Sequence, residues 1–106
     1  MFRGVYPRDK LPKRLPKRSK SSAYIVNLDK QGQEGSHWNA IYVPQNKDYI
    51  KYFDSRGFPP STNDIKQYVC RRKYFQFNNH RLFKPNDFIF NDHFVNMLLR
   101  ESLIQN

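Results

Sequence analysis

The sequence has a single cysteine, Cys70, among 106 residues, and this scarcity excludes an internal disulfide. No apolar run approaches the ~18 residues needed to cross a bilayer, and the basic N-terminal stretch lacks the apolar segment of a secretory signal. We therefore expect no membrane partner and an intracellular location. The three scattered histidines have no Cys or His neighbour at ligand spacing, so we predict no metal site and no cofactor.

Positive charge is plentiful and uneven. The net charge is +10, and residues 1–20 alone carry eight Lys and Arg against one Asp. Three prolines in this stretch oppose a regular helix or a central strand. We predict a basic N-terminal arm over 1–20 and a single domain over 21–106. Basic runs suit phosphate backbones, acidic proteins or nuclear import, and the alternative is a solvated arm that only aids solubility. The candidate nucleic-acid-binding residues are Lys13, Arg14, Lys17, Arg18 and Lys20.

Aromatic and β-branched residues after the arm indicate a small sheet. Residues 23–28 have the composition of a buried strand. Residues 37–43 and 49–53 have the same character and are separated by a polar segment with a proline, which predicts a hairpin with a longer turn. Residues 74–77 add another short strand.

Two helices are expected beside this sheet. Ser61 or Thr62 can cap a helix that runs to about Arg72. From about Phe88 a final helix is expected, with apolar residues at helical spacing at Phe90, Phe94, Met97 and Leu98. The order strand, hairpin, helix, strand, helix predicts an α+β fold, with a small, mostly antiparallel sheet and flanking helices.

His37 and Asp54 are the candidate catalytic residues. An antiparallel hairpin brings the start of one strand beside the end of its partner, which places His37 next to Asp54. An imidazole oriented by a carboxylate is the general base that a cysteine nucleophile requires. An isolated His and Asp more often cap a strand and begin a turn, so the surrounding sequence decides between the two interpretations.

That surrounding sequence resembles a known family. Gly-Ser-His-Trp-Asn-Ala-Ile-Tyr-Val at 35–43 and Tyr-Phe-Asp-Ser-Arg-Gly-Phe-Pro-Pro at 52–60 are similar to the adenovirus-protease (adenain) group, as found in self-synthesising DNA transposons and related viruses. Residues 4–12 and 78–82 extend the likeness in order. Ubiquitin-like-protein-specific proteases are more distantly similar. The resemblance implies a papain-like cysteine-protease core of the adenain type, with His37 as general base, Asp54 as its orienting residue and Trp38 beside the substrate cleft.

The sequence departs from this family where the nucleophile is expected. The family has a Gln and, seven residues later, Cys-Gly at the start of a helix. Without gaps, Phe83 replaces the Gln and Phe90 replaces the Cys. With one residue inserted, Lys84 replaces the Gln and Asn91 replaces the Cys. Cys70 is expected inside the first helix, as a packing residue.

Three functions remain open on these grounds. The first is a degenerate cysteine-protease homologue without peptidase activity, although a gene-model error after Leu82 would give the same sequence for an active enzyme. The second is a nucleic-acid- or polyanion-binding module, associated with a virion or transposon, that acts through the basic arm. The third is capture of a peptide or a viral or transposon protein, without cleavage, in a cleft beside Trp38. Nuclear or virion-associated placement would accompany these functions.

Overall fold

A computed structural model describes residues 1–28, 37–78 and 81–84, which form one six-stranded sheet whose strands lie in chain order. A 3-10 turn, Arg8–Lys10, follows the first strand, and one α-helix, α1 (Asn63–Val69), connects the fourth strand to the fifth. The strands are β1 (Phe2–Pro7), β2 (Ser22–Asn27), β3 (Trp38–Val43), β4 (Tyr49–Asp54), β5 (Tyr74–Phe77) and β6 (Leu82–Phe83).

The expected α+β core of the papain-like, adenain type is wrong for this architecture. The described residues are mostly sheet, with a single helix of seven residues. The predicted helix to Arg72 ends early, because Cys70 leaves helical geometry and Arg72 turns towards the β3–β4 connection. The sheet is mixed rather than mostly antiparallel, since β1 pairs with β2 and β4 with β5 in parallel. The expected final helix lies outside the described residues.

The four strands expected from the sequence are confirmed as β2 to β5, within a residue or so at each end. Their side chains alternate between a buried face and a more exposed face, as the two-residue period of a strand requires. The buried face packs against Ile65, Tyr68 and Val69 of α1, and these residues form the core with Tyr24, Val26, Ile41, Val43, Ile50, Tyr52, Phe75, Phe77 and Phe83.

β1 is an edge strand in the stretch that the sequence assigns to the arm. It pairs with β2 in parallel, and its register shifts between Phe2 and Gly4. Gly4 has φ +134°, a conformation that residues with a Cβ rarely adopt, so glycine permits this bulge. Pro7 ends the strand, where a missing amide hydrogen costs little.

The basic residues that follow β1 are fastened to the body of the protein. Leu11 and Leu15 pack against the core. Arg71 donates to the backbone oxygens of Pro12 and Lys13, at 3.1 and 2.7 Å. The backbone oxygen of Arg18 accepts a hydrogen bond of 2.8 Å from the amide of Asn46. This segment therefore has a fixed path across the surface.

Arg72 holds the end of the sheet where β3 turns into β4. Its side chain is buried, and its guanidinium donates to the backbone oxygens of Pro44 at 2.6 Å and Lys47 at 3.0 Å. Burial and the neighbouring positive charge of Arg18 hold the pKa of Arg72 below its usual value. Among residues 1–28, 37–78 and 81–84, no helix has the length and apolar content needed to cross a membrane.

Candidate active site

His37 and Asp54 meet at one end of the β3–β4 hairpin. His37 immediately precedes β3 and Asp54 is the last residue of β4, so the hairpin brings the two side chains together. His37 Nε2 lies 2.9 Å from Asp54 Oδ1. The side chains are 15% and 2% exposed, respectively, so the carboxylate is buried and the imidazole reaches the surface.

The Asp54 carboxylate is held in place by several donors. Oδ1 accepts a hydrogen bond of 2.7 Å from the backbone amide of Arg56, in addition to the contact with His37. The guanidinium of Arg56 lies 3.6 Å from the same oxygen and stacks on the ring of Phe58. A buried carboxylate needs such partners, because an unpaired one would carry a large desolvation cost.

Asn39 connects this carboxylate to the core. Asn39 is 3% exposed and lies directly opposite Asp54 in the β3–β4 pairing. With its amide nitrogen towards the carboxylate, Asn39 donates to Asp54 Oδ2 at 3.1 Å and to the backbone oxygen of Trp38 at 3.2 Å. Its amide oxygen then accepts from the Tyr52 hydroxyl at 3.0 Å. Burial, and then the charge of Asp54, raise the pKa of Tyr52, which keeps its hydroxyl as a donor.

Asn78 fixes the backbone of Asp54. The side-chain oxygen of Asn78 accepts from the Asp54 amide at 2.8 Å, and its side-chain nitrogen donates to the Asp54 carbonyl oxygen at 2.8 Å. Asn78 follows β5 and adopts φ +43°, which asparagine tolerates better than most residues. This arrangement continues the pairing of β4 beyond the end of β5 and prevents Asp54 from fraying away from His37.

The pair can orient an imidazole base. Because a carboxylate only accepts hydrogen bonds, the His37–Asp54 contact requires the proton on Nε2. In the neutral ring this leaves Nδ1 as the nitrogen that can take up a proton. A thiol or water molecule next to Nδ1 would therefore meet a base whose orientation is set by Asp54, Asn39 and Asn78.

Cys70 does not belong to this end of the sheet. It follows the last residue of α1, and the chain then reaches Tyr74, which pairs with Tyr49 at the opposite end of β4 from Asp54. β4 spans roughly 16 Å at about 3.3 Å per residue. Burial raises the pKa of the Cys70 thiol to about 11, so the thiolate is scarce at neutral pH. Cys70 packs against the core instead.

The structure separates the other predicted site residues from the pair. Trp38 is half-exposed on the opposite face of the sheet from Asn39 and Asp54, because successive side chains of a strand point to opposite faces. Phe90 and Asn91, the two positions aligned with a nucleophile, lie outside the described residues. Within 1–28, 37–78 and 81–84, no three His, Cys, Asp or Glu side chains gather as metal ligands.

The five candidate nucleic-acid-binding residues are all exposed. Arg18 forms an ion pair of 2.6 Å with Asp48, which lowers the pKa of that carboxyl group. Their role in binding is untested by these contacts. The five are Lys13, Arg14, Lys17, Arg18 and Lys20.

Sequence comparison adds a distant relationship. The chain is 40% identical over 50 residues to a protein of Acanthamoeba polyphaga mimivirus named "Putative thiol protease R355". The chain is similar to a viral thiol-protease-like protein. The match covers 44% of this chain but only 17% of the viral protein, well under two thirds of that relative's length. No known protein-family profile matches the chain. The relationship is therefore to viral thiol proteases in general and does not single out the adenain type.

Sequence reasoning missed Asn39, Tyr52 and Asn78. Asn39 occupies the same phase as Ile41 and Val43 in β3, so a polar residue there signals a buried hydrogen-bonding role. The role of Asn78 follows from the parallel pairing of β4 with β5, which local sequence does not reveal.

Proposed function

We propose that this chain is a thiol-protease-related domain that retains an oriented imidazole base and does not hydrolyse peptides by itself. The carrying observation is the 2.9 Å contact between His37 Nε2 and Asp54 Oδ1. The only thiol, Cys70, is a poor nucleophile at neutral pH and lies towards the other end of the sheet. Loss of an oxyanion donor alone costs roughly 10²–10³-fold in rate, and the nucleophile is missing as well.

The surroundings of Phe83 favour one alignment with the protease pattern. Phe83 is 4% exposed and stacks on Phe75 at 5.5 Å between ring centroids. Phe83→Gln would bury an amide in this core at a cost of about 2 kcal/mol or more. Lys84 is exposed and accepts Gln without such a cost. This supports the alignment in which Lys84 occupies the oxyanion position and Asn91 the nucleophile position.

Chain length is compatible with this alignment. Phe83 pairs with Phe75, which pairs with Ile50, so the chain passes Lys84 towards the end of β4 opposite Asp54. The seven residues from Lys84 to Asn91 span at most about 23–25 Å when extended. This exceeds the roughly 16 Å length of β4, so Asn91 has enough chain to return to His37.

The test restores the missing groups. The variant Lys84→Gln with Asn91→Cys and Asp92→Gly is treated with an electrophilic, thiol-directed peptide probe. We expect labelling at position 91 that is lost when His37→Ala is added, because the imidazole generates the thiolate. The Phe83→Gln, Phe90→Cys, Asn91→Gly variant is the comparison for the other alignment. His37-independent labelling, or none in a folded variant, would overturn the assignment of His37 as a base for this segment.

A second candidate function is polyanion binding by the basic arm. The observation in its favour is the fixed path of this segment, which holds five exposed cations on one stretch of surface without an entropic cost of ordering on binding. Deletion of residues 1–20 is unsuitable as a test, because it removes β1 from the sheet.

Charge substitutions test this function with the fold retained. Lys13→Gln, Arg14→Gln and Lys17→Gln are combined in one variant, and three exposed or half-exposed lysines elsewhere, Lys10, Lys51 and Lys84, are changed to Gln as the matched control. Binding to random-sequence duplex DNA is measured against salt concentration. The arm variant should lower the slope of log affinity against log salt by about 0.9 for each contact removed. Equal loss in both variants would refute a specific role for the arm.

A further inference from the structure

One face of the sheet is apolar and is left open by the described residues. α1 covers the face that carries Tyr24, Ile41 and Phe75, and the alternating residues point the other way. The register groups the exposed side chains of this open face: Phe2 lies opposite Ala23, Ala23 opposite Tyr42, Val5 opposite Ile25 and Ala40 opposite Phe53. Six of the eight large exposed hydrophobic residues belong to it, namely Phe2, Val5, Trp38, Tyr42, Phe53 and Leu82.

The extent of this face is that of an interaction surface. Its four aromatic side chains are 39–60% exposed, which amounts to on the order of 100 Å² each, or roughly 400 Å² together. Patches of this size on soluble domains usually contact another surface. A sheet that faced water would instead alternate apolar residues with polar ones. The open face therefore needs a cover.

The chain beyond the described residues has the pattern of such a cover. Residues 85–106 follow β6 directly, and Leu82 of β6 already lies on the open face. In this segment Phe90, Phe94, Met97 and Leu98 recur at the spacing of one helix face. Asn96 falls on the opposite side of the same helical projection. The segment is therefore long enough and amphipathic in the required way.

Charge also distinguishes this segment as a partner for the rest of the chain. Residues 1–84 carry eighteen Lys and Arg against six Asp and Glu, whereas residues 85–106 carry one Arg against three acidic residues. A net charge of +12 thus faces a net charge of −2. Attraction between the two favours contact within the chain, while two copies of the basic body repel each other.

We propose that the apolar side chains of residues 90–98 dock on the open face of the sheet, over Trp38, Tyr42 and Phe53. The occupant is this segment of the same chain. The inference stands apart from the proposed function, because it concerns the face of the sheet opposite Asn39 and Asp54.

Trp38 is the only tryptophan and reports directly on this face. In the full chain we expect an emission maximum at short wavelength and poor quenching by acrylamide. Phe94→Glu with Leu98→Glu should shift the emission to that of a solvent-exposed indole and increase quenching. The matched control, Asn96→Glu, should leave both unchanged. A solvent-exposed Trp38 in the unmodified chain would overturn the proposal, as would an unchanged emission in a folded Phe94→Glu, Leu98→Glu variant.

Crosslinking keeps the proposal testable if the charged variant unfolds. In a Cys70→Ala background, Tyr42→Cys is combined with Met97→Cys or, as the control, with Asn96→Cys, and a short bismaleimide is added. We expect an intramolecular crosslink with position 97 and little with position 96. Crosslinked dimers, or Trp38 emission that depends on protein concentration, would identify a second copy as the occupant and refute the intramolecular one. These readouts are independent of thiol labelling beside His37, so either proposal can fail alone.

Discussion

Replacement of Asn39 by leucine should destabilise the protein strongly, because Asn39 is a partner of two buried polar groups. Asn39→Leu keeps the side-chain volume but removes the donor to Asp54 Oδ2 and the acceptor of the Tyr52 hydroxyl. An unsatisfied buried hydroxyl costs about 1–3 kcal/mol, and a lost hydrogen bond to a charged group about 1.5–3 kcal/mol. We therefore expect a loss of about 3–5 kcal/mol in the free energy of unfolding.

A double-mutant cycle isolates the contact between Asn39 and Tyr52. Tyr52→Phe alone should cost about 1 kcal/mol, because the amide oxygen of Asn39 loses its donor. In the Asn39→Leu background the same change removes an unsatisfied hydroxyl and should restore about 1–2 kcal/mol. The two changes are therefore coupled by about 2 kcal/mol, a value typical of residues in one network.

Urea unfolding followed by circular dichroism measures all four proteins. A domain of this size has about 5–15 kcal/mol of stability, so Asn39→Leu should remain folded at low temperature without urea. Tyr42→Phe on the exposed face is the control and should change stability by less than about 0.5 kcal/mol. Additive effects of the two substitutions, or a cost below about 1 kcal/mol for Asn39→Leu, would refute the hydrogen-bonded chain from Tyr52 to Asp54.

Three further predictions follow from the same contacts. Cys70, with its pKa raised to about 11 from 9.0, should react with iodoacetamide about 100-fold more slowly than an unperturbed thiol at pH 7.5, measured by mass spectrometry; and because the folded state holds this proton more tightly, stability should fall as pH rises from about 9 to 11, less so in Cys70→Ala. Arg72→Ala should cost about 3–4 kcal/mol in urea unfolding, since it leaves the carbonyl oxygens of Pro44 and Lys47 without their donor; a cost under about 1 kcal/mol would contradict the contacts. Asn78→Gly keeps the positive φ but removes both bonds to the Asp54 backbone, and should cost about 1–3 kcal/mol in the same assay.

The sequence predicts strands better than it predicts how they assemble. β2 to β5 follow from alternation of apolar residues, which is local. β1 was missed because prolines and basic residues surround it, and only pairing with β2 makes it a strand. The fold class was wrong because it gave weight to helices, whereas the described residues hold one short helix. Parallel pairing depends on crossover connections between distant segments, and no local pattern specifies it.

The candidate site divides in a similar way. The His37–Asp54 contact follows from a hairpin, so sequence spacing was enough to expect it. The partners that fix the pair depend on register, which sets Asn39 opposite Asp54, and on the end of β5, which brings Asn78 to the Asp54 backbone. A catalytic role for either residue stays a prediction until the thiol is restored.

The basic segment between β1 and β2 is a closed loop, because both of its ends continue into neighbouring strands. A free tail of twenty residues would sweep a wide volume and capture a polyanion before the body arrives. A segment pinned at Pro12, Leu15 and Arg18 has almost no reach. Any polyanion must therefore come to the surface of the domain in an orientation that the sheet dictates, and the rate of capture should follow ordinary diffusion of the whole protein.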